Sequence, residues 1–498
     1  MGLLHIFRKR VSLLNTSRSS TKLNDGRAIT TRLVMVALTS LFLNVTSAIS
    51  HANERTALSL DTAINIALTQ DDWLVKSQFE QQRLVALSEG ASALPDPTLS
   101  IGILNLPTDG FAFDQEPMTQ IKVGASQMFP RGDTLALQEA QFQQAANVQP
   151  VKRADRRQKV ALQTTLLWLD AYQNQASYAL VKDAEPLFDK LGEIVSASYA
   201  SSVGKANQQD IIRAELELVR LQDRLITLST HQRTALSRLM QFLSGPISGQ
   251  EKRAIESGIA ASFTAVSALP NEQDMLPQER ATLLGSSNIN EQHLYTILAN
   301  HPVVVAIEQQ ISAERISIDI AEQSLKPQFG VNASYALRDD TPAGNRRANF
   351  FSVGMSVSLP LFSTARQDAQ VSSSIQQVES TKTEKRLVLR ELMAGLKSSI
   401  DQYQGASQRL SMYQSQILPQ MAQQSDAALN AYTNDLGDFA EVVRAEIAEL
   451  DAQITTLGIE VAKRKALASI NYYFSEYHLD AEHAYQLNQA SGRNNNDK

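Results

Sequence analysis

The sequence predicts a membrane α+β protein made of two tandem helix–strand–strand–helix–helix units. Three observations carry that expectation. A ladder of matched residues recurs at an offset of 230 positions, four short segments alternate apolar with polar residues, and two long stretches are poor in glycine and proline. The ladder comes first, because a repeat sets the frame for every other element. Val123-Gly124 matches Val353-Gly354, Ser126 matches Ser356, Pro130 matches Pro360, Pro97 matches Pro327 and Leu68 matches Leu298, all at that one offset.

The helical expectation follows from composition. Stretches of about 131–243 and 363–475 are rich in Ala, Leu, Gln, Glu and Arg, which favour helix, and hold few of the 21 glycines and 15 prolines. Leu221, Leu225 and Leu228, with Leu216 five residues ahead of them, are spaced by four and three, as helix–helix packing requires. A helix is expected over 60–93, with Ser59 or Asp61 as its cap, and a counterpart over about 291–325. The stretch 133–185 is expected to be interrupted near Pro150 and ended near Pro186, and 363–417 to end near Pro419.

The strands are PTLSIGIL (97–104), QIKVGASQ (120–127), QFGVNASYAL (328–337) and FSVGMSVSL (351–359), within spans of about 97–106, 118–130, 327–338 and 349–360. Leu99, Ile101 and Ile103 share one face and Ser100 and Gly102 the other. Val353, Met355 and Val357 likewise oppose Gly354, Ser356 and Ser358. A soluble sandwich strand would alternate too. Here, however, the polar face is small and rich in hydroxyls, and each segment approaches the ~9–11 residues of a tilted membrane strand. The loops 105–117 and 338–349 are long, polar and rich in turn residues. Four strands cannot close a barrel, and an open edge is not tolerated in lipid, where spanning barrels need about eight strands or more. Several copies must therefore pool their strands.

Net charge is −6 with no basic cluster after the N-terminus, which argues against a nucleic-acid partner. Cysteine is absent, which removes disulfides, thiolate metal sites and cysteine nucleophiles. Residues 1–52 are predicted to be a signal peptide, with a basic lead, the apolar core LVMVALTSLFLNV (33–45) and small residues before a cut at Asn53; an organellar transit peptide is the alternative. The first repeat then spans 53–243, a connection 244–290, the second repeat 291–480 and a polar tail 481–498. No phosphate loop, zinc-helix spacing or nucleophile elbow is present, so no enzyme, cofactor or metal site is expected. His478 and His483, among Glu476, Asp480 and Glu482, read as a solvated tail, and Arg131-Gly132-Asp133 as a chance tripeptide.

A second landmark pairs YASSVGKANQQDIIRAEL (199–216) with YTNDLGDFAEVVRAEI (432–447), each a tight turn between long helices. With LSLDTAINIAL (58–68), ALPDPTL, SLKPQFG and VSLPLF in the same order, the chain resembles the TolC-type outer-membrane efflux proteins over almost all of its mature length. The resemblance implies a homotrimer whose twelve-stranded barrel in outer-membrane lipid continues into a periplasmic α-helical barrel. It further implies a duct that docks on a periplasmic adaptor and an inner-membrane pump, with the cation-efflux branch the nearest in pattern. Drug efflux, a type I protein secretion duct and a non-transporting trimeric stalk or adhesin remain alternatives. It places a pore gate at Glu441 and Arg444, with Asp210 and Arg213 in the first copy, and docking turns at Gly204, Asp435, Gly437 and Asp438. Arg444 stands where the family often has a second acid, which lessens the expected pull on cations. The same four charged residues also fit ordinary helix-surface ion pairs.

Overall fold

The computed structural model describes residues 57–201, 207–244, 265–276, 280, 284, 290–361, 364–434 and 436–477. The expected signal peptide, the tail beyond 480, most of the connection, His478, His483, Gly204 and Asp435 lie outside them. Two short helices lead in, α1 (Leu60–Thr69) and α2 (Asp72–Ala91), followed by β1 (Thr98–Leu104), β2 (Gln120–Phe129), α3 (Thr134–Ala200) and α4 (Gln208–Leu243). After α5 (Glu272–Met275) come α6 (Glu291–Ala299), α7 (Pro302–Gln323), β3 (Gln328–Leu337), β4 (Phe350–Ser358) and α8 (Thr364–Met412). A π-turn (Tyr413–Ile417) joins α8 to α9 (Leu418–Thr433), and α10 (Phe439–Tyr473) follows.

Four expectations about helix ends need correction. The helix expected over 60–93 is two, because Asp71 accepts a hydrogen bond from the Trp73 N–H and opens a second helix. In the other half His301 caps α7 in the same manner, ahead of Pro302 in the first turn. Pro150 and Pro186 do not stop α3, which runs 67 residues, about 100 Å at 1.5 Å per residue. Each proline removes one backbone bond, and α2, α4, α7 and α10 all pack along α3, which continues through both positions. Pro419 does not end its helix either. The π-turn ahead of it widens the backbone spiral where the proline ring would strike a carbonyl, and α9 continues.

The strands form one antiparallel sheet in the order β1-β2-β3-β4, so β1 and β4 are its two edges. The expected strands are present and slightly shorter than drawn. The lead-in and the connection clasp the middle of the bundle. Leu58 bridges Val266, its carbonyl accepts the indole N–H of buried Trp168 at 2.9 Å, and Gln175 binds both polar groups of the Val266 backbone. Among the described residues no helix is long and apolar enough to cross a membrane.

Candidate conduit face and helical tip

Strand register sorts the sheet into two chemically distinct faces. One row reads Ile101, Val123, Tyr335, Phe351; the next reads Leu99, Ala125, Ala333, Val353. These side chains point away from the rest of the chain: Ile101 is 78% exposed and Val353 71%. The opposite face carries Ser100, Gly124, Ser334 and Ser352 in one row, and Thr98, Ser126, Asn332 and Gly354 in another. Small residues are needed there, because a Cβ on Gly124 would sit 3.0 Å from the Ser100 hydroxyl and 3.5 Å from Ser334. An exposed apolar face backed by a narrow hydroxyl-lined one is the arrangement of a wall between lipid and water.

The long loops at one end of the sheet are stitched together by two arginines. Arg338 donates to the carbonyls of Ala348 and Pro117 and stacks over Phe350 at 4.0 Å. Arg347 donates to the carbonyls of Asp114 and Glu116. At the other end of the sheet the Arg131-Gly132-Asp133 tripeptide is a joint. Arg131 donates to the Ser324 and Lys326 carbonyls, Asp133 pairs with Lys326 at 3.3 Å, and Gly132 takes φ +48°, where an added Cβ would press on Lys326 Cδ at 2.5 Å.

Both helical turns lie at one end of the bundle. Ile211 and Ala214 share one apolar cluster with Phe439, Val442 and Val443. Asn207 accepts from the Gln209 and Asp210 N–H groups, and the Asp210 carboxylate accepts from the Asn207 N–H at 3.0 Å, a complete capping box. Asp210 is buried, so it starts a helix rather than presenting charge to an opening. Arg213 is exposed and makes no ion pair among the described residues. Asp438 caps α10 through the Ala440 N–H, as a turn-and-cap residue does. Gly437 lies where a Cβ would come within 2.9 Å of the Tyr432 amide, and its N–H and that of Leu436 both donate to the Ala431 carbonyl.

Glu441 and Arg444 do come together: a guanidinium–carboxylate contact of 2.7 Å with both side chains more than half exposed. Such a pair contributes about 0–1 kcal/mol to stability, so its charge remains free to shape a local field. Sequence reasoning missed two further features. Leu436 stands 86% exposed at the turn, signalled only as a lone apolar residue among turn formers. Arg224 reaches Asp451 at 2.6 Å and ties α4 to α10, a contact between distant segments that no local pattern marks.

Residues 293–472 match the family model described as outer membrane efflux protein. The outer membrane efflux protein BepC of Brucella suis biovar 1 (strain 1330) is 24% identical over 252 residues, 50% of this chain and 48% of its own. The chain thus matches about half the length of that curated relative. Among solved structures, CusC covers 84% of this chain and 92% of its own with a TM-score of 0.66 at 12% identity. The outer membrane protein VceC of Vibrio cholerae covers 84% and 97% with a TM-score of 0.65 at 13% identity. The Campylobacter jejuni CmeC outer membrane channel covers 83% and 85% with a TM-score of 0.65 at 11% identity. At these identities the likeness establishes a shared fold, mostly helical with a small sheet.

Proposed function

We infer, from the premise that this chain belongs to the outer membrane efflux protein family, that it is the passive exit duct of a tripartite efflux system. The observation that carries the reading is the sheet: an exposed apolar face, a small hydroxyl-lined face and two unpaired edges. Edges cannot stay open in lipid, so copies close into a ring. We take the number as three, which gives a twelve-stranded barrel in the outer membrane, built from one unit written twice per chain. The helices continue it as a periplasmic barrel, and α3 alone reaches about 100 Å at 1.5 Å per residue.

The turns of the helical end form the docking site for a periplasmic adaptor and, through it, an inner-membrane pump. We assign Gly437 and Asp438 to that site, with Gly204 and Asp435 from the sequence pattern; the exposure of Leu436 in the same turn supports the reading. Glu441 and Arg444 set the charge at the constriction. Arg213 contributes there from the first turn, while Asp210 supports it as a cap. We take the cargo to be small, metal cations or drugs, with protein secretion the alternative. The purified mature protein in planar bilayers should give discrete single-channel steps. A well-assembled protein that stays electrically silent would turn the reading towards a stalk or adhesin.

A further inference from the structure

Lys122 has no structural task in the sheet. Among the described strand residues it is the one charged side chain. Register puts it on the hydroxyl face, in a row reading Gly102, Lys122, Ala336, Phe350, next to the apolar row of Ile101 and Val123. Three ordinary reasons for a lysine in a strand do not apply. It blunts no edge, because β2 is bonded on both sides, to β1 and β3. It does not snorkel out of lipid, because the apolar row is on the other face. It ties no strands together, because it makes no ion pair among the described residues.

Its surroundings leave that charge free. The residues across from it are Gly102 and Ala336, the two smallest types, and a Cβ on Gly102 would meet nothing within 4 Å. Lys122 stands two residues after Gln120, where β2 begins, at the end of the sheet that carries the long loops. Arg338 and Arg347 at that end are held by main-chain carbonyls. Carboxylates of the same loops have other partners: Asp109 accepts from Gln115, and Asp339 from the Asp340 N–H.

We propose that Lys122 is a fixed cation of the conduit wall that draws small organic anions, carboxylates foremost, through the outer part of the duct. The proposal rests on the reading of the chain as a pooled barrel and narrows its cargo, favouring anionic molecules over metal cations. Each copy adds one ammonium, so the copies together set a ring of positive charge in a bore otherwise lined by hydroxyls. An ammonium on a flexible four-carbon stem meets a passing carboxylate as a point charge with three rotatable donors. Its reach follows the screening length, about 10 Å at 0.1 M salt and about 3 Å at 1 M, so the preference is strong in dilute salt and fades in concentrated salt.

The absence of cysteine makes the test direct. Lys122→Cys is reconstituted in planar bilayers, and single channels are followed before and after a membrane-impermeant thiosulfonate reagent. Loss of the ammonium should shift the reversal potential towards cations and raise several-fold the citrate concentration that half-blocks the current. A reagent bearing a quaternary ammonium should restore both in discrete steps, one per copy, and one bearing a sulfonate should shift both further. Val123→Cys, the next residue on β2 but in the apolar row, should stay unmodified. A conducting Lys122→Cys channel that does not react, or reacts with no change in potential or block, overturns the proposal and leaves the duct standing. Equal modification of Val123→Cys overturns it too, since the two faces would then not be divided between lipid and bore. Should Lys122→Cys fail to assemble, the unsubstituted channel decides: citrate block that does not weaken several-fold between about 0.1 M and about 1 M salt overturns the proposal. An unsubstituted protein that stays silent in the bilayer sinks the duct and the proposal together.

Discussion

His301 is the residue where sequence, packing and acidity meet. It is fully buried at the start of α7. Its Nδ1 accepts from the Val303 N–H at 3.3 Å, so Nε2 carries the proton and donates to the Tyr472 carbonyl at 3.1 Å. Burial lowers its pKa below 6.5, against the opposing pull of Asp155 and the Tyr472 carbonyl, with Lys159 adding to the depression. The folded state therefore binds fewer protons than the unfolded one, and stability rises with pH in that window. The contribution is complete above about pH 6.5 and is lost as pH falls from there towards the depressed folded value. Melting of the wild type in detergent should drop over that range relative to His301→Asn, which keeps a cap but does not titrate there. Parallel curves for the two proteins would remove His301 from the account. Gly395 belongs to the same region: an added Cβ would overlap the Tyr473 hydroxyl and lie 2.7 Å from its Cζ. Gly395→Ala should lower stability by about 1–3 kcal/mol, the usual cost of overpacking, measured by the same melts.

At the scale of elements, strands were more legible than helix ends. Alternation of Leu99, Ile101 and Ile103 with Ser100 and Gly102 is a local signal, and the sheet follows it. Helix continuity through Pro150 and Pro186 is not local, because it depends on four other helices lying along α3. The break at Asp71 was legible in principle, since aspartate before a helix start is a capping signal. It was obscured by apolar spacing that runs on through Trp73. The strand faces yield a sharp prediction. Val353 lies mid-strand in the exposed row with Ala333, Ala125 and Leu99. If that row meets lipid, Val353→Arg costs about 2–4 kcal/mol and should deplete the protein from purified outer membranes. Ser352→Lys, one residue away on the hydroxyl face, should insert normally. Equal insertion of both variants would mean that the sheet has no lipid side.

At the scale of the whole molecule, the repeat was the strongest sequence signal, because a shared offset is independent of propensity. The candidate gate was less legible. Asp210 and Glu441 occupy matching positions near a helix start, yet Asp210 is buried in a capping box while Glu441 is over half exposed and pairs with Arg444. Asn207 explains the difference: its side chain and Asp210 close the box together, whereas Asp438 caps α10 without needing Glu441. Among the described residues only the second turn therefore carries a free-standing charge pair. In a ring each copy adds one such pair, so a single substitution changes the local charge once per subunit. Glu441→Gln leaves Arg444 without its partner and should move the channel towards anions; Arg444→Gln should move it towards cations. Reversal potentials in a salt gradient report both, and opposite shifts with unchanged native mass place the pair at the constriction. Two variants with wild-type potentials would return Glu441 and Arg444 to the helix surface, and the narrowest point of the duct would have to be sought elsewhere along α4 and α10.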